Sequence, residues 1–330
     1  MFRALAHIVP VLALIVIVKG AYVRLNDAGL GCPDWPGCYG HLTVPSVSRN
    51  SVEARDPSAR PLDRGKAWRE MIHRYLASSL GGLIVLMALI AWSNRHALGQ
   101  PLTLPLSLLP LVVFQGLLGM WTVTLLLKPL VVVGHLIGGI TIAALAWWNL
   151  LDVRAAPRCP EMALRRHAVL ALLVVTIQIG LGGWTSANYA ALACTDFPTC
   201  NGTWWPAMDF KNAFVLWRGL GINYEFGVLD TPARTAIHFA HRSWAAVVAA
   251  SLVTLIVYTW RTADRRGRRI AWCILALLAL QLILGITNVV RGLPLPVAVM
   301  HNGTAAALVL SLVTLIHYAS PARHQYETLT

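Results

Sequence analysis

The strongest constraint on this chain is a set of eight mostly apolar stretches, at about 7–25, 71–92, 103–125, 130–151, 166–185, 233–259, 270–290 and 296–317. Each approaches the roughly 20 residues that a helix needs to cross a bilayer. Hydrocarbon offers no water to the backbone, so such stretches must satisfy their own hydrogen bonds and fold as helices. Composition agrees. Of 330 residues, 57% are hydrophobic and 12% charged, where a soluble domain has about 25% charged, and mean hydropathy is +0.61. The first stretch runs on into "GAYVRLNDAG" with no small-residue cleavage site, so it is read as a retained helix and not a signal peptide. The net charge is +13. The basic residues sit between apolar spans, which suits loop orientation and contact with anionic lipid and leaves no face for nucleic acid.

The basic residues orient the spans. "RTADRRGRR", between spans six and seven, holds five arginines. The link between spans four and five carries Arg154, Arg158, Arg165 and Arg166, and Arg95 lies between spans two and three. With eight spans these links share one side, the cytoplasm. Both termini are then cytoplasmic, and the long loops 26–70 and 186–232 are external. The stretch 41–70 holds six basic residues, offset by Glu53, Asp56, Asp63 and Glu70. Long loops cross with little regard to charge.

The chain repeats itself. Spans one to four resemble spans five to eight at a shift of about 162 to 168 residues. Cys32 and Cys38 match Cys194 and Cys200. "IHRYLASSLGGLIV" matches "AHRSWAAVVAASLV", and "QGLLGMWTV" matches "QLILGITNV". Four spans per half is an even number, so the repeat is parallel. The expected architecture is an all-α integral membrane protein built as two pseudo-symmetric four-helix bundles, residues 1–152 and 153–330. Bundle cores are natural cofactor sites.

Of 11 histidines, four fall inside spans at corresponding places: His73, His135, His241 and His301. A lone intramembrane histidine is best read as an interhelical hydrogen bond; four in matched positions shift the reading towards ligands. Each lies within the first turns of an inward-running span. At 1.5 Å per residue His135 is roughly 10 Å below Lys128. Two histidines at one depth in one bundle can hold an iron from opposite faces of a porphyrin. Gly81, Gly82, Gly138 and Gly139 make room for a flat macrocycle or simply for close helix packing. Zinc and copper sites draw on richer clusters. Cys273 reads as a small buried hydrophobe, and Cys159 as a reduced cytoplasmic thiol.

Glu70 breaks the repeat. It precedes His73 by three residues and shares its helix face, whereas the matching position holds His238. It is either a helix-start carboxylate favoured by the dipole or the mark of a half that does chemistry. Arg24, Arg74 and Arg242 are candidates for pairing with haem propionates, or for snorkelling at the interface. Lys19, inside span one, has no assigned role.

The chain resembles the bacterial heme A synthases across nearly its whole length, in "GAYVRLNDAGLGCPDWPGCYG", "EMIHR", "GHLIGG", "LGGWTSANYAALACTDFPTCNGTWWP", "AHRSWA" and "MHNGTAAA". The resemblance implies oxidation of the C8 methyl of heme O to the formyl of heme A, by successive hydroxylation to a gem-diol that loses water. It places the family's ligand histidines on His73 and His135, for substrate heme O in the first half, and on His241 and His301, for a resident heme b in the second. It places the functional glutamate on Glu70 and the external cysteine pairs on Cys32/Cys38 and Cys194/Cys200. It implies partnership with heme O synthase and with cytochrome c oxidase assembly components; a homo-oligomer is compatible. Both cysteine pairs are read as disulfides in an oxidising compartment, structural or redox-active. A two-haem electron carrier would explain the histidines but not Glu70. A transporter would need helices interrupted at mid-membrane, and here the polar groups gather at the outer side.

Overall fold

The computed structural model describes residues 1–46, 61–97 and 99–321. Glu53 and Asp56 lie outside them. Among the described residues eight helices are long and apolar enough to span a membrane: α1 (Phe2–Leu25), α2 (Arg64–Ser93), α3 (Thr103–Thr124), α4 (Pro129–Val153), α5 (Met162–Ala187), α6 (Thr231–Thr262), α7 (Arg265–Val290) and α8 (Leu295–Tyr318). One further helical turn, Phe210–Ala213, lies in the long loop before α6.

The helix starts follow from their caps. Asp63 accepts the Lys66 N–H at 3.0 Å, Glu161 that of Leu164 at 2.7 Å, and Asp230 that of Ala233 at 3.1 Å. Asp264 takes two, from Arg266 and Gly267, at 2.8 and 2.9 Å. Each satisfies amide groups that a first turn otherwise leaves without partners. Proline opens α4, α6 and α8, where its missing N–H is no loss. The caps also lengthen the helices beyond their apolar stretches. α2 begins at Arg64, seven residues before the apolar run, so Glu70 sits inside the helix and is not its helix-start carboxylate.

In the first half, α1 packs on α2 and α4, α2 on α3, and α3 on α4. In the second, α5 packs on α6 and α8, α6 on α7, and α7 on α8. The same neighbours therefore recur from half to half. Across the seam α1 meets α8, and α4 meets both α5 and α8. Apolar side chains fill the inner part of each half. Leu5, Val9, Ala13, Ile84, Met87, Leu108 and Ile142 form one cluster. Leu164, Val175, Leu252, Leu255, Ile274 and Leu312 belong to the other. Large apolar side chains such as Val113, Leu170 and Ile283 face outward, as lipid contact requires. Cys273 is among these outward residues and is not buried as the sequence suggested. Lipid accommodates a thiol as readily as a core does, so burial was not needed to explain it. Cys159 is a free, exposed thiol in the link between α4 and α5.

Candidate haem sites

The long loops before α2 and α6 carry matched caps. Cys32–Cys38 and Cys194–Cys200 are disulfides, with Cα atoms 4.8 and 4.6 Å apart. Each loop contains a cis X-Pro bond, at Trp35–Pro36 and Phe197–Pro198. In each, an aspartate stitches the following turn. Asp34 accepts the Tyr39 and Gly40 N–H groups at 2.6 and 2.8 Å. Asp196 accepts those of Asn201 and Gly202 at 2.5 and 3.0 Å, and the Thr199 hydroxyl. The Thr199 and Gly202 donors hold the exposed Asp196 carboxyl below its ordinary range.

Both caps are pinned to the second helix of their half. Arg74 donates from Nη1 to the carbonyls of Asp34, Pro36 and Gly37 at 2.8, 3.3 and 2.5 Å. Arg242 donates to those of Asp196, Pro198 and Thr199 at 2.9–3.0 Å. Arg24 donates to the Ser186 carbonyl and forms a 3.5 Å ion pair with Asp27. All three guanidinium groups thus meet main-chain carbonyls, in the loops or at the end of α5, which need donors outside regular structure, and a guanidinium has five; Arg24 Nε is buried without a partner.

Glu70 and His238 also hold the caps. The Cys32 N–H donates to Glu70 Oε2 at 2.9 Å, and the Cys194 N–H donates to His238 Nδ1 at 3.1 Å. Both side chains are buried. The second oxygen of Glu70 accepts from Arg74 Nη2 at 2.5 Å. The acceptor in the first half is a carboxylate paired with a cation, while that in the second half is an imidazole. Gly31 allows the first cap to sit on α2: a Cβ there would come 2.7 Å from the Lys66 backbone.

Below the caps stand the four histidines. His73 and His135 lie on α2 and α4, His241 and His301 on α6 and α8. Each ring faces a glycine on a neighbouring helix. A Cβ on Gly20 would sit 3.0 Å from His73 Cε1, and one on Gly182 3.1 Å from His241 Cε1. For Gly119 against His135, and Gly285 against His301, the distance is 3.3 Å. All four Nδ1 atoms are buried without a hydrogen-bond partner, against the general rule for buried polar atoms. The backbone carbonyls of His135 and His241 accept from Gln115 and Gln178 at 2.6 and 3.1 Å, and Gln281 Nε2 approaches His301 Nε2 at 3.3 Å. Gly138 and Gly139 make room for the Gln115 amide. Gly82 faces open space.

Among the described residues no group of three or more His, Cys, Asp or Glu side chains converges. Two imidazoles fall short of a structural zinc site. They do complete a haem iron, whose macrocycle supplies the other four donors. Two buried imidazoles per half, each given room by a glycine, therefore fit a bis-histidine haem.

A family model described as COX15-CtaA, cytochrome oxidase assembly protein, matches residues 3–313. The chain belongs to this family. A relative from Shewanella oneidensis named heme A synthase is 45% identical over 322 residues, covering 95% of each chain. Heme A synthases of Rhizorhabdus wittichii and Caulobacter vibrioides are 26% and 27% identical, over 94% and 91% of this chain. As a COX15-CtaA member the chain is an eight-helix integral membrane protein. Its partner glycines escaped the sequence reading, although Gly119 and Gly285 stand in the matched "LLG" and "ILG" strings and Gly20 and Gly182 each lie 12 residues before a cysteine.

Proposed function

We propose that the chain is an oxidoreductase that converts the C8 methyl of heme O to the formyl of heme A by successive hydroxylation, supplying cytochrome c oxidase assembly. The observation that carries this is the set of four matched imidazoles with enclosed, unpartnered Nδ1 atoms, two in each half, joined to the 45% identity with a heme A synthase. In this reading residues 1–152 receive heme O between His73 and His135. Residues 153–330 keep a heme b between His241 and His301. A bound heme b supplies one-electron transfer.

The chain's own residues do the rest. Imidazoles from α2 and α4 fix the substrate, and the glycine beside each ring lets it lie close to its neighbouring helix. The disulfide-closed caps cover the outer end of each half and keep bulk water from it. Glu70, three residues and one helix face from His73, holds a carboxylate next to the first site. It accepts a proton at Oε1 or Oε2, or stabilises positive charge developing at the methyl, in a poorly solvated setting. The matching imidazole of His238 already accepts the Cys194 N–H at Nδ1 and offers no such charge. This difference favours chemistry in the first half and storage in the second. Both termini are placed in the cytoplasm, by the arginines of the links 154–166 and 261–269.

The experiment is haem extraction after expression beside a heme O source. Formyl-bearing heme A in the extract is expected; bound haem without any formyl product would favour a plain two-haem electron carrier and overturn the enzymatic reading.

A further inference from the structure

Lys19 is a cation inside a span that, among the described residues, neither the caps nor the seam absorb. It lies in α1, six residues before its end at Leu25, a rise of about 9 Å. It is half-buried, with Nζ 4.7 Å from the centroid of the Tyr22 ring. Among the described residues it makes no ion pair and no side-chain hydrogen bond. A charge at such depth is costly and normally has a partner. Lys19 also directly precedes Gly20, the glycine that would touch His73 at 3.0 Å if it carried a Cβ. At the shift of 162 that relates Gly20 to Gly182, the second half places Leu181. The cation is therefore specific to the first half.

Porphyrins of the haem class carry two carboxylates, and Arg74 and Arg242 are already bound to cap carbonyls. Resting on the haem reading above, we propose that Lys19 pairs with one carboxylate of the macrocycle held by His73 and His135. It is a positioning residue. Two axial imidazoles leave a macrocycle free to turn about the axis joining them. A single charge pair on α1 removes that freedom and sets which edge faces Glu70 on α2. The second half, which only stores a haem in this scheme, has no need of the restraint and carries leucine.

The test is a spectral titration of the detergent-solubilised full chain with protohaem and with its dimethyl ester. It is run on the wild type, Lys19→Met and Lys19→Arg, and on the same three in a His73→Ala background. The wild type is expected to prefer the free acid roughly tenfold, the scale of one charge-assisted bond. Lys19→Met should lose that preference and Lys19→Arg keep it. With His73→Ala, the identity of residue 19 should make no difference. A preference that survives in Lys19→Met, or is absent from the wild type, overturns the proposal and leaves the haem reading standing. A wild type that takes up no haem with a bis-imidazole spectrum overturns the haem reading and this inference with it.

Discussion

Gly20→Ala gives the sharpest check on the paired imidazoles. An ideal Cβ at this position would lie 3.0 Å from His73 Cε1, 3.4 Å from Nε2 and 3.6 Å from Nδ1. Carbon atoms rest at about 3.5–4.0 Å, so the ring must retreat by about half an ångström or more. Overpacking of this kind costs about 1–3 kcal/mol. If the ring pays that cost in the geometry needed to hold iron, haem affinity at the first pair falls about 5- to 150-fold. Alanine is also the better helix former by about 1 kcal/mol, so the helix itself is not weakened. The assay is haem per chain together with the low-spin bis-imidazole spectrum, beside the thermal stability of the haem-free chain. Gly182→Ala, at 3.1 Å, should do nearly the same to the second pair; Gly119→Ala and Gly285→Ala, at 3.3 Å, should do less. Gly82→Ala, which meets nothing within 4 Å, should do nothing. A Gly20→Ala chain with full haem and an unchanged spectrum, or a Gly82→Ala chain that loses as much, would refute the reasoning.

Glu70→Gln keeps an acceptor for the Cys32 N–H and should preserve cap protection in hydrogen exchange while abolishing heme A formation; wild-type output from it would remove Glu70 from the chemistry. His238→Ala leaves the buried Cys194 N–H without its partner, so the second cap should loosen by about 1–3 kcal/mol, read as faster exchange of residues 194–203. Mass spectrometry after alkylation without reductant should label Cys159 and Cys273 only; labelling of all six cysteines would contradict the caps. The carboxyl of Asp196 is held low in the folded chain, chiefly by the Thr199 hydroxyl and then the Gly202 N–H. Its contribution is therefore complete above the ordinary carboxylate range and lost only as pH falls through the lowered value. Cap protection should be flat from neutral pH down to mildly acid conditions and decline below that.

Most of the architecture was legible because lipid enforces it: a run of apolar residues has no alternative to helix. The ends were less legible. α2 starts at Arg64 because Asp63 caps a turn of polar residues, "RGKAWRE", that hydropathy treats as loop. The histidines were legible only as a set, through the repeat. Glu70 shows the limit. Its spacing to His73 is visible in sequence, but its hold on Cys32 depends on a loop 38 residues away folding back onto α2. The hold of Arg74 and Arg242 on the caps was hidden for the same reason, since their partners are carbonyls whose direction only the folded cap defines. Cys273 could not be placed because helix periodicity alone does not say which side of a membrane helix meets lipid.

Two contacts at the seam join residues to their own counterparts in the repeat. Arg24 meets Ser186, and Asp27 accepts the Tyr189 hydroxyl at 2.8 Å. The members of each pair stand 162 residues apart, the same offset that separates Cys32 from Cys194. Contacts between a residue and its own counterpart are what a self-complementary interface produces. Two first halves docked in this way would set arginine against arginine and aspartate against aspartate. Serine in the second half removes the like charge and leaves its main-chain carbonyl to Arg24, while tyrosine brings a hydroxyl to Asp27 and an aromatic face 4.2 Å from the Arg24 guanidinium. Arg24 and Asp27 therefore fit Ser186 and Tyr189 better than they would fit a second copy of themselves.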